Sequence, residues 1–440
     1  MDHGANGHRI DGNGALQAGV TLEAHPERRR IRPSECWRHI DFRIGVEQLA
    51  AGTAAERAAV RLALVIDRSG SMQGRKLETA KRAALAAIEK LDQRDQVALV
   101  VFDDQIDVLQ PLTRVVSGMQ ARLRALLETV TARSSTALHE GWLTGCQQIA
   151  AEPGTAAGDL ARCFLLTDGL ANVGLTDAEA IASQAAGIWD RGVSTSTFGI
   201  GPDYDEGLLG PLANAGGGQF HHLRSPEEIA RTFVGELGGL LAVGAAHVRM
   251  EIEASDGVSL ELISKYDSKS LGAAVNAWSV TIGDLMRGEE RHVVSRFRFP
   301  SSPHEYNAVR ARVLWTANGE ERASEWQGID FVVALHDACD MEPRDPSVMH
   351  WVGLHHMDRA LLKAASLSRP GSLEEARGNL RAVARRISEY AGSDVELQAA
   401  VQELRREERK LAEGLPSSMQ LKESSSRAYR SMKGQTDYRE

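Results

Sequence analysis

Strand-length apolar runs stand at 62–66, 97–102, 163–167, 193–200 and 218–223, and segments with helical spacing lie between them. In 75–91, Leu77, Ala80, Ala84, Ile88 and Leu91 recur at intervals of three and four, the period of an amphipathic helix. Residues 119–130, 137–151, 177–190 and 226–242 are further helix candidates. Strands alternating with helices predict parallel βαβ units with right-handed crossovers in an open α/β sheet. Ligands of such sheets bind outside the carboxyl ends of the strands, where the strand order reverses.

The pattern changes after 242. VRMEIEA, VSLELIS, AWSVTIG, RHVVSRFRF, AVRARVLW and IDFVVALH follow one another with no helical segment between them. Asp256-Gly257, Gly283-Asp284 and Asn318-Gly319 read as the turns that separate them. This is the signature of an all-β sandwich. Residues 18–59 carry another alternation, Ile40, Phe42, Ile44 and Val46, expected to complete the sandwich with the α/β part inserted into it. In 345–412 the stripe Leu373, Ala376, Leu380, Val383, Ile387 and Tyr390, continued by Leu397, Val401, Leu404 and Leu411, predicts helices. Breaks at Pro370-Gly371 and Gly392-Ser393 favour a small helical hairpin packed on the sandwich over a coiled coil. The expected divisions are a disordered N-terminus at 1–17, sandwich strands at 18–59, the α/β unit at 60–242, the sandwich at 243–340, helices at 345–412 and a polar tail at 413–440.

A chain of 440 residues with 42% hydrophobic and 25% charged residues is an ordinary multi-domain globular composition. The net charge of −9 disfavours nonspecific binding to nucleic acid or an anionic membrane. Met1 to Gly14 lacks an apolar core of the signal-peptide type, and no run is long enough to span a bilayer. Cys36, Cys146, Cys163 and Cys339 are scattered, with no C-x-x-C pair. Core thiols in a reducing, cytoplasmic compartment are expected rather than a zinc site or disulfide framework. The histidines at 221–222 and at 350, 355 and 356 have no Cys or carboxylate at ligand spacing, and they read as ordinary surface or half-buried side chains.

The candidate chemistry sits where the first α/β strand ends. LALVIDRSGS, residues 62–71, passes from an apolar run into Asp67, Ser69 and Ser71 at alternate positions. Thr136 in SSTAL and Asp168 in FLLTDG open a helix or follow a strand. Taken singly, each residue reads as a turn or cap residue. Taken together, they offer hydroxyls and carboxylates to a hard cation such as Mg²⁺, which prefers six oxygens in near-octahedral array. Arg68, and Asp103 and Asp104 at the end of the second strand, are candidate contacts for a bound partner; an ordinary solvated Arg and a polar loop are the alternatives.

These three segments, in this order and context, resemble the metal-ion-dependent adhesion site of von Willebrand factor A (VWA) domains. The layout is similar to bacterial VWA proteins and inter-alpha-trypsin inhibitor heavy chains. The resemblance implies a doubly wound, mostly parallel sheet with helices on both faces, inserted in or followed by the all-β sandwich. It implies Mg²⁺ or Mn²⁺ held through Ser69, Ser71 and Thr136, with Asp67 and Asp168 acting mainly through waters. It implies a protein partner that presents a Glu or Asp to the ion, and a binding module rather than an enzyme. Integrin-type relatives add acidic residues after the serines for a second ion; Met72 and Gln73 stand there here, so none is expected. The alternative role is accessory subunit of a MoxR- or chelatase-type AAA+ ATPase; the chain has no G-x-x-x-x-G-K-[ST] loop and is not itself the motor. The tail around Ser424–Tyr429 resembles that of VWA proteins that include plant RING ubiquitin ligases, but no RING cysteine pattern is present, so ligase activity is not carried over. No hydrolase motif such as G-x-S-x-G or H-E-x-x-H occurs.

Overall fold

The computed structural model describes residues 19–47, 58–150, 159–169, 172–201, 204–223, 225–272, 276–301, 307–317, 320–367 and 372–413. The N-terminal segment, the polar tail beyond 413, the Asn318-Gly319 turn and the Pro370-Gly371 break lie outside the described residues.

Three strands open the described residues: β1 (Val20–Pro26), β2 (Arg30–Ile31) and β3 (Cys36–Val46). The α/β unit follows as β4 (Val60–Asp67), α1 (Arg75–Ile88), β5 (Gln96–Phe102), β6 (Ile106–Arg114), α2 (Met119–Glu128), α3 (Leu138–Ile149), β7 (Leu160–Thr167), α4 (Ala178–Trp189), β8 (Val193–Ile200), α5 (Glu206–Ala215), β9 (Gly217–Leu223) and α6 (Pro226–Leu241). Its sheet has the order β6-β5-β4-β7-β8-β9. Only β6 is antiparallel to its neighbour. The central strands are apolar at every position because both faces are covered. Leu62, Leu64 and Ile66 pack under α1, α2 and α6, while Ala63 and Val65 pack under α3, α4 and α5. From β4 the chain moves outward first to β5 and later to β7 on the opposite side. The order therefore reverses at β4 and β7, and Asp67 and Asp168 stand at their carboxyl ends.

The remaining strands are β10 (Val243–Ala254), β11 (Ser259–Leu262), β12 (Asp267–Ser270), β13 (Ala277–Met286), β14 (Glu290–Phe299), β15 (Asn307–Ala317), β16 (Glu320–Ala323) and β17 (Gln327–Val333). They form two sheets, β1-β3-β14-β11 and β12-β13-β10-β15-β17-β2, with β16 on β15. Ile40, Phe42 and Ile44 face Met250, Ile252 and Val280 across one core. Since β3 pairs with both β1 and β14, the α/β unit is inserted between strands of one sandwich. The two units meet at the amino end of β7, where Arg162 forms a buried ion pair with Asp284. Arg162 also reaches Ser196, whose hydroxyl donates to buried Glu236 on α6 at 2.7 Å, and His221 lies 3.2 Å from the same carboxylate. Gly283-Asp284, expected to be a turn, lies instead inside β13 at an irregularity in its pairing with β10. Gly283 has φ +92°, and a Cβ there would stand 2.7 Å from the Gly217 carbonyl oxygen. The glycine marks a close approach between units rather than a chain reversal.

The C-terminal part is α7 (His336–Met341), α8 (Pro346–Ser366), α9 (Leu373–Ser388) and α10 (Val395–Glu413). It is a three-helix cluster after a short α7, not a hairpin. The break at Gly392 is present, with φ +49°. Val348, Met349 and Val352 of α8 pack on Val294 and Ile263, so the outer face of the β3–β14 sheet is buried too. That explains a buried Asp41, which accepts from Arg43 at 3.0 Å and lies 2.9 Å from His292 Nδ1. Trp351 of α8 stacks on His292 with ring centroids 3.7 Å apart. His221 and His355 are buried rather than superficial. All four cysteines are buried and unbridged. No described helix is long and apolar enough to cross a membrane.

Candidate metal centre

The site grows from the abrupt ends of β4 and β7. Leaving the sheet, the chain at Asp67 turns at once into a tight 3₁₀ turn over Gly70–Met72. Asp67 shapes that turn: its Oδ1 accepts from the Ser69 backbone N–H at 2.7 Å. Its Oδ2 accepts from the Thr167 hydroxyl at the end of β7, which ties the two strand ends together. Ser69 Oγ and Ser71 Oγ lie 3.1 Å apart, and Ser71 Oγ donates to Asp168 Oδ1 at 2.7 Å. The loop before α3 closes over this turn. Gly70 N–H donates to the Ser134 carbonyl at 3.0 Å, and Arg133 N–H to the Arg68 carbonyl at 2.9 Å. Ser134 adopts φ +55° to make that bridge. Thr136 is thereby carried to the same place, its backbone N–H held by Asn172 Oδ1 at 2.9 Å.

Gly169 shows how closely the oxygens converge. A Cβ on it would lie 3.4 Å from Ser71 Oγ, 3.4 Å from Thr136 Oγ1 and 3.9 Å from Asp67 Oδ2. Oxygens from two loops, with Gly169 of a third at the centre, thus surround one small cradle, beside which Ser69 and Asp168 stand. Asp67 and Asp168 are fully buried. Both oxygens of each are engaged by protein donors, so the carboxylates orient hydroxyls rather than point freely into the cradle. Burial pushes the Asp67 carboxyl up to about 6, against hydrogen bonds from Thr167 and Ser69 that favour its charged form, and the charge of Asp168 adds to the rise. Among the described residues no three His, Cys, Asp or Glu side chains come together as a metal-binding group. The cradle is of a different kind, built mainly of neutral hydroxyls. Its donor set fits a small hard cation that keeps several waters.

Arg68 and Asp103, candidate partner contacts by sequence, are buried in an ion-pair network rather than laid out at the surface. Arg68 is 6% exposed, and its guanidinium lies on Asp103, at 3.2 Å, and on Asp107. Asp103 is fully buried and also takes Arg133 and the Gln105 N–H. A buried carboxylate between two guanidiniums fixes the loops that carry Ser69 and Thr136, and its pairing holds the Asp103 carboxyl below the usual range despite burial. Asp104 is exposed at the loop tip. Three participants escaped the sequence reading. Thr167 links Asp67 to the Gly169 N–H, Asn172 holds Thr136, and Lys76 forms an ion pair with Asp168. Lys76 is in the first turn of α1, where side chains lean back toward the helix start, and so reaches the strand ends.

Residues 62–234 match the family model for the von Willebrand factor type A domain. This segment is a VWA domain. Such domains commonly mediate protein–protein interaction. The uncharacterized protein sll0103 of Synechocystis sp. is 27% identical over 242 residues, covering 53% of this chain and 56% of that protein. Inter-alpha-trypsin inhibitor heavy chain H4 of Homo sapiens is 27% identical over 170 residues, 38% of this chain and 18% of its own. E3 ubiquitin-protein ligase WAV3 of Arabidopsis thaliana is 25% identical over 271 residues, 60% of this chain and 34% of its own. The matched region thus spans about half of the first relative and smaller shares of the others. Two solved structures extend the likeness beyond the VWA domain. A von Willebrand factor type A protein from Catenulispora acidiphila superposes with a TM-score of 0.70 at 19% identity, over 90% of this chain and 91% of that one. The ArnB paralog VWA2 from Sulfolobus acidocaldarius gives 0.64 at 16% identity, over 95% and 99%. At such identities these likenesses establish the fold, and they extend it over the sandwich and the C-terminal helices as well as the VWA sheet.

Proposed function

We propose that this protein is a divalent-metal-dependent interaction module whose VWA domain engages an acidic side chain of a protein partner. One observation carries the reading: oxygens of Asp67 and Ser71 from one loop and of Thr136 from another, at the strand-order reversal, surround a cradle at Gly169 that a single methyl group would fill. Ser69, Ser71 and Thr136 would hold Mg²⁺ or Mn²⁺ through their hydroxyls, while Asp67 and Asp168 orient those hydroxyls and the waters. A divalent ion held mainly by neutral oxygens supplies a net positive charge, for which a Glu or Asp of the partner is the natural complement. The role is binding rather than catalysis, and four unbridged cysteines suit a reducing, cytoplasmic setting.

Calorimetric titration of Mn²⁺ into the wild type and Asp67→Ala tests the metal. Loss of an orienting carboxylate is expected to weaken binding about 10–100-fold; equal affinity would remove the assignment. Capture from native lysate in Mg²⁺ against EDTA tests the partner, and would also reveal an AAA+ ATPase of the MoxR or chelatase type. Replacing the partner's surface acidic residues one at a time by Gln or Asn should leave one change that abolishes the metal-dependent capture.

A further inference from the structure

A second feature lies away from the metal cradle, where the three parts of the molecule meet. A groove of about 1030 Å³ is bounded by the start of α5, by the β11–β12 segment and Arg296 of the sandwich, and by α8 and α9. Among its described lining residues are five basic side chains, Lys265, Arg296, Arg359, Lys363 and Arg386, against two carboxylates, Asp205 and Glu261. In a chain of net charge −9, this is a local reversal of sign. The helices deliver it by period. His356, Arg359, Ala360 and Lys363 fall at spacings of three and four along one face of α8, and Asn379, Val383 and Arg386 do so along α9.

The groove shows how it treats a carboxylate. Glu261 lies between two guanidiniums, with Arg359 Nη1 at 3.1 Å on one oxygen and Arg296 on the other. Arg359 and Arg296 thus share one carboxylate. Lys363 reaches Glu375 at 3.6 Å. The exposed Arg386 guanidinium pairs with no carboxylate among the described residues. Like charges crowd here: burial and then the neighbouring His39, Arg359, Arg386 and Arg296 push His356 down to about 3, and burial and Arg359 push Lys265 down. Such crowding costs free energy unless an anion enters. The walls carry long aliphatic stems and aliphatic side chains such as Leu262, Leu362 and Val383, with buried Tyr266 as the one Phe, Tyr or Trp among the described lining residues. That suits an extended chain with carboxylates better than nucleic-acid bases, which need stacking platforms. At this volume the groove equals the largest ordinary small-molecule pockets, which gives room for several residues of peptide.

We infer that this groove is a docking site for an acidic peptide segment of a protein partner, separate from the metal cradle and independent of metal. Guanidiniums from α8, α9 and β14 would take its Glu or Asp side chains in forked pairs, and the bound segment would bridge the VWA domain, the sandwich and the helices.

The test is fluorescence anisotropy of the full chain with a labelled hexaglutamate peptide in EDTA. Saturable binding that weakens with added salt is expected, because the overall negative charge would otherwise repel the probe. Arg386→Glu and Lys363→Glu, both at exposed positions, should each weaken it, and together by about tenfold or more, with circular dichroism unchanged. Asp67→Ala should bind as the wild type does, which separates this site from the metal site. Absence of saturable binding at millimolar peptide, or equal binding by the doubly reversed variant, would overturn the assignment. So would loss of binding in EDTA relative to Mg²⁺, or displacement by inorganic pyrophosphate where sulfate at equal ionic strength does nothing.

Discussion

A methyl group on Gly169 would occupy the point toward which Ser71, Thr136 and Asp67 direct their oxygens. Its nearest contacts, at 3.4 Å, are ordinary packing distances, so Gly169→Ala should fold normally, with stability changed by no more than about 1 kcal/mol. Mn²⁺ affinity should nevertheless fall about 10-fold or more, as when an orienting group is lost; paired thermal melts and calorimetry check both halves. Five residues of this site were legible in the sequence. Asp67, Ser69 and Ser71 stand at alternate positions in one short loop, and Thr136 and Asp168 each sit beside an apolar run that predicts a strand or helix. The others were not. Lys76 and Asn172 act through partners far along the chain, and no local pattern distinguishes them from solvated side chains. The burial of Arg68 was not legible for the same reason: the Asp103 and Asp107 that hold it arrive with the neighbouring strands.

At the scale of elements, hydrophobic period was a good guide where packing is regular and failed where tertiary contacts override it. The edge strand β6 contains Pro111 and is half exposed, so its alternation is broken. Helix α5, with Pro211 and two glycines, is not among the helices the period predicts, yet Leu208, Leu209 and Leu212 hold it in the core. The glycines of α3 have a different meaning. A Cβ on Gly145 would stand 2.2 Å from Val65 Cγ2, and one on Gly141 2.5 Å from Phe102 Cγ. Alanine raises helix propensity by about 1 kcal/mol, but overpacking here should win. Gly145→Ala is expected to destabilise by about 1–3 kcal/mol, read as a lower urea midpoint. The docking of α8 carries a pH dependence. His355 is buried beside Ser264, and burial is the main cause that pushes it down to about 4, with the Asp41 charge opposing and His292 adding to the fall. The folded protein keeps this ring neutral while the unfolded chain protonates near its ordinary value. The stabilisation is therefore complete above about pH 6.5 and is lost as pH falls toward 4, on the order of 3 kcal/mol. Amide exchange in 346–366 should quicken over that window, and His355→Leu should flatten the response.

For the whole molecule, the three-part division was readable because each part has its own hydrophobic period. The contacts between the parts were not, since Arg162 meets Asp284, and Glu236 gathers Ser196 and His221, only after each unit has formed. The insertion of the VWA domain also sets an order in time. Gly45 of β3 pairs with Glu290 of β14, so during synthesis the first strands emerge long before their partner exists. Until then Ile40, Phe42 and Ile44 have no core, and the edge of β3 can pair with other nascent chains. The VWA unit is continuous and can fold alone first. Once it has, the strands that flank it are brought together, a Cβ on Gly244 of β10 standing 2.7 Å from Val46 Cγ1 of β3, and the long loop that the sandwich must close becomes a short one. Pulse-labelled hydrogen exchange during refolding should therefore protect 60–67 and 160–167 before 36–46. A destabilised VWA core should slow closure of the sandwich and raise aggregation of the nascent chain, even though the substitution lies in neither sandwich sheet.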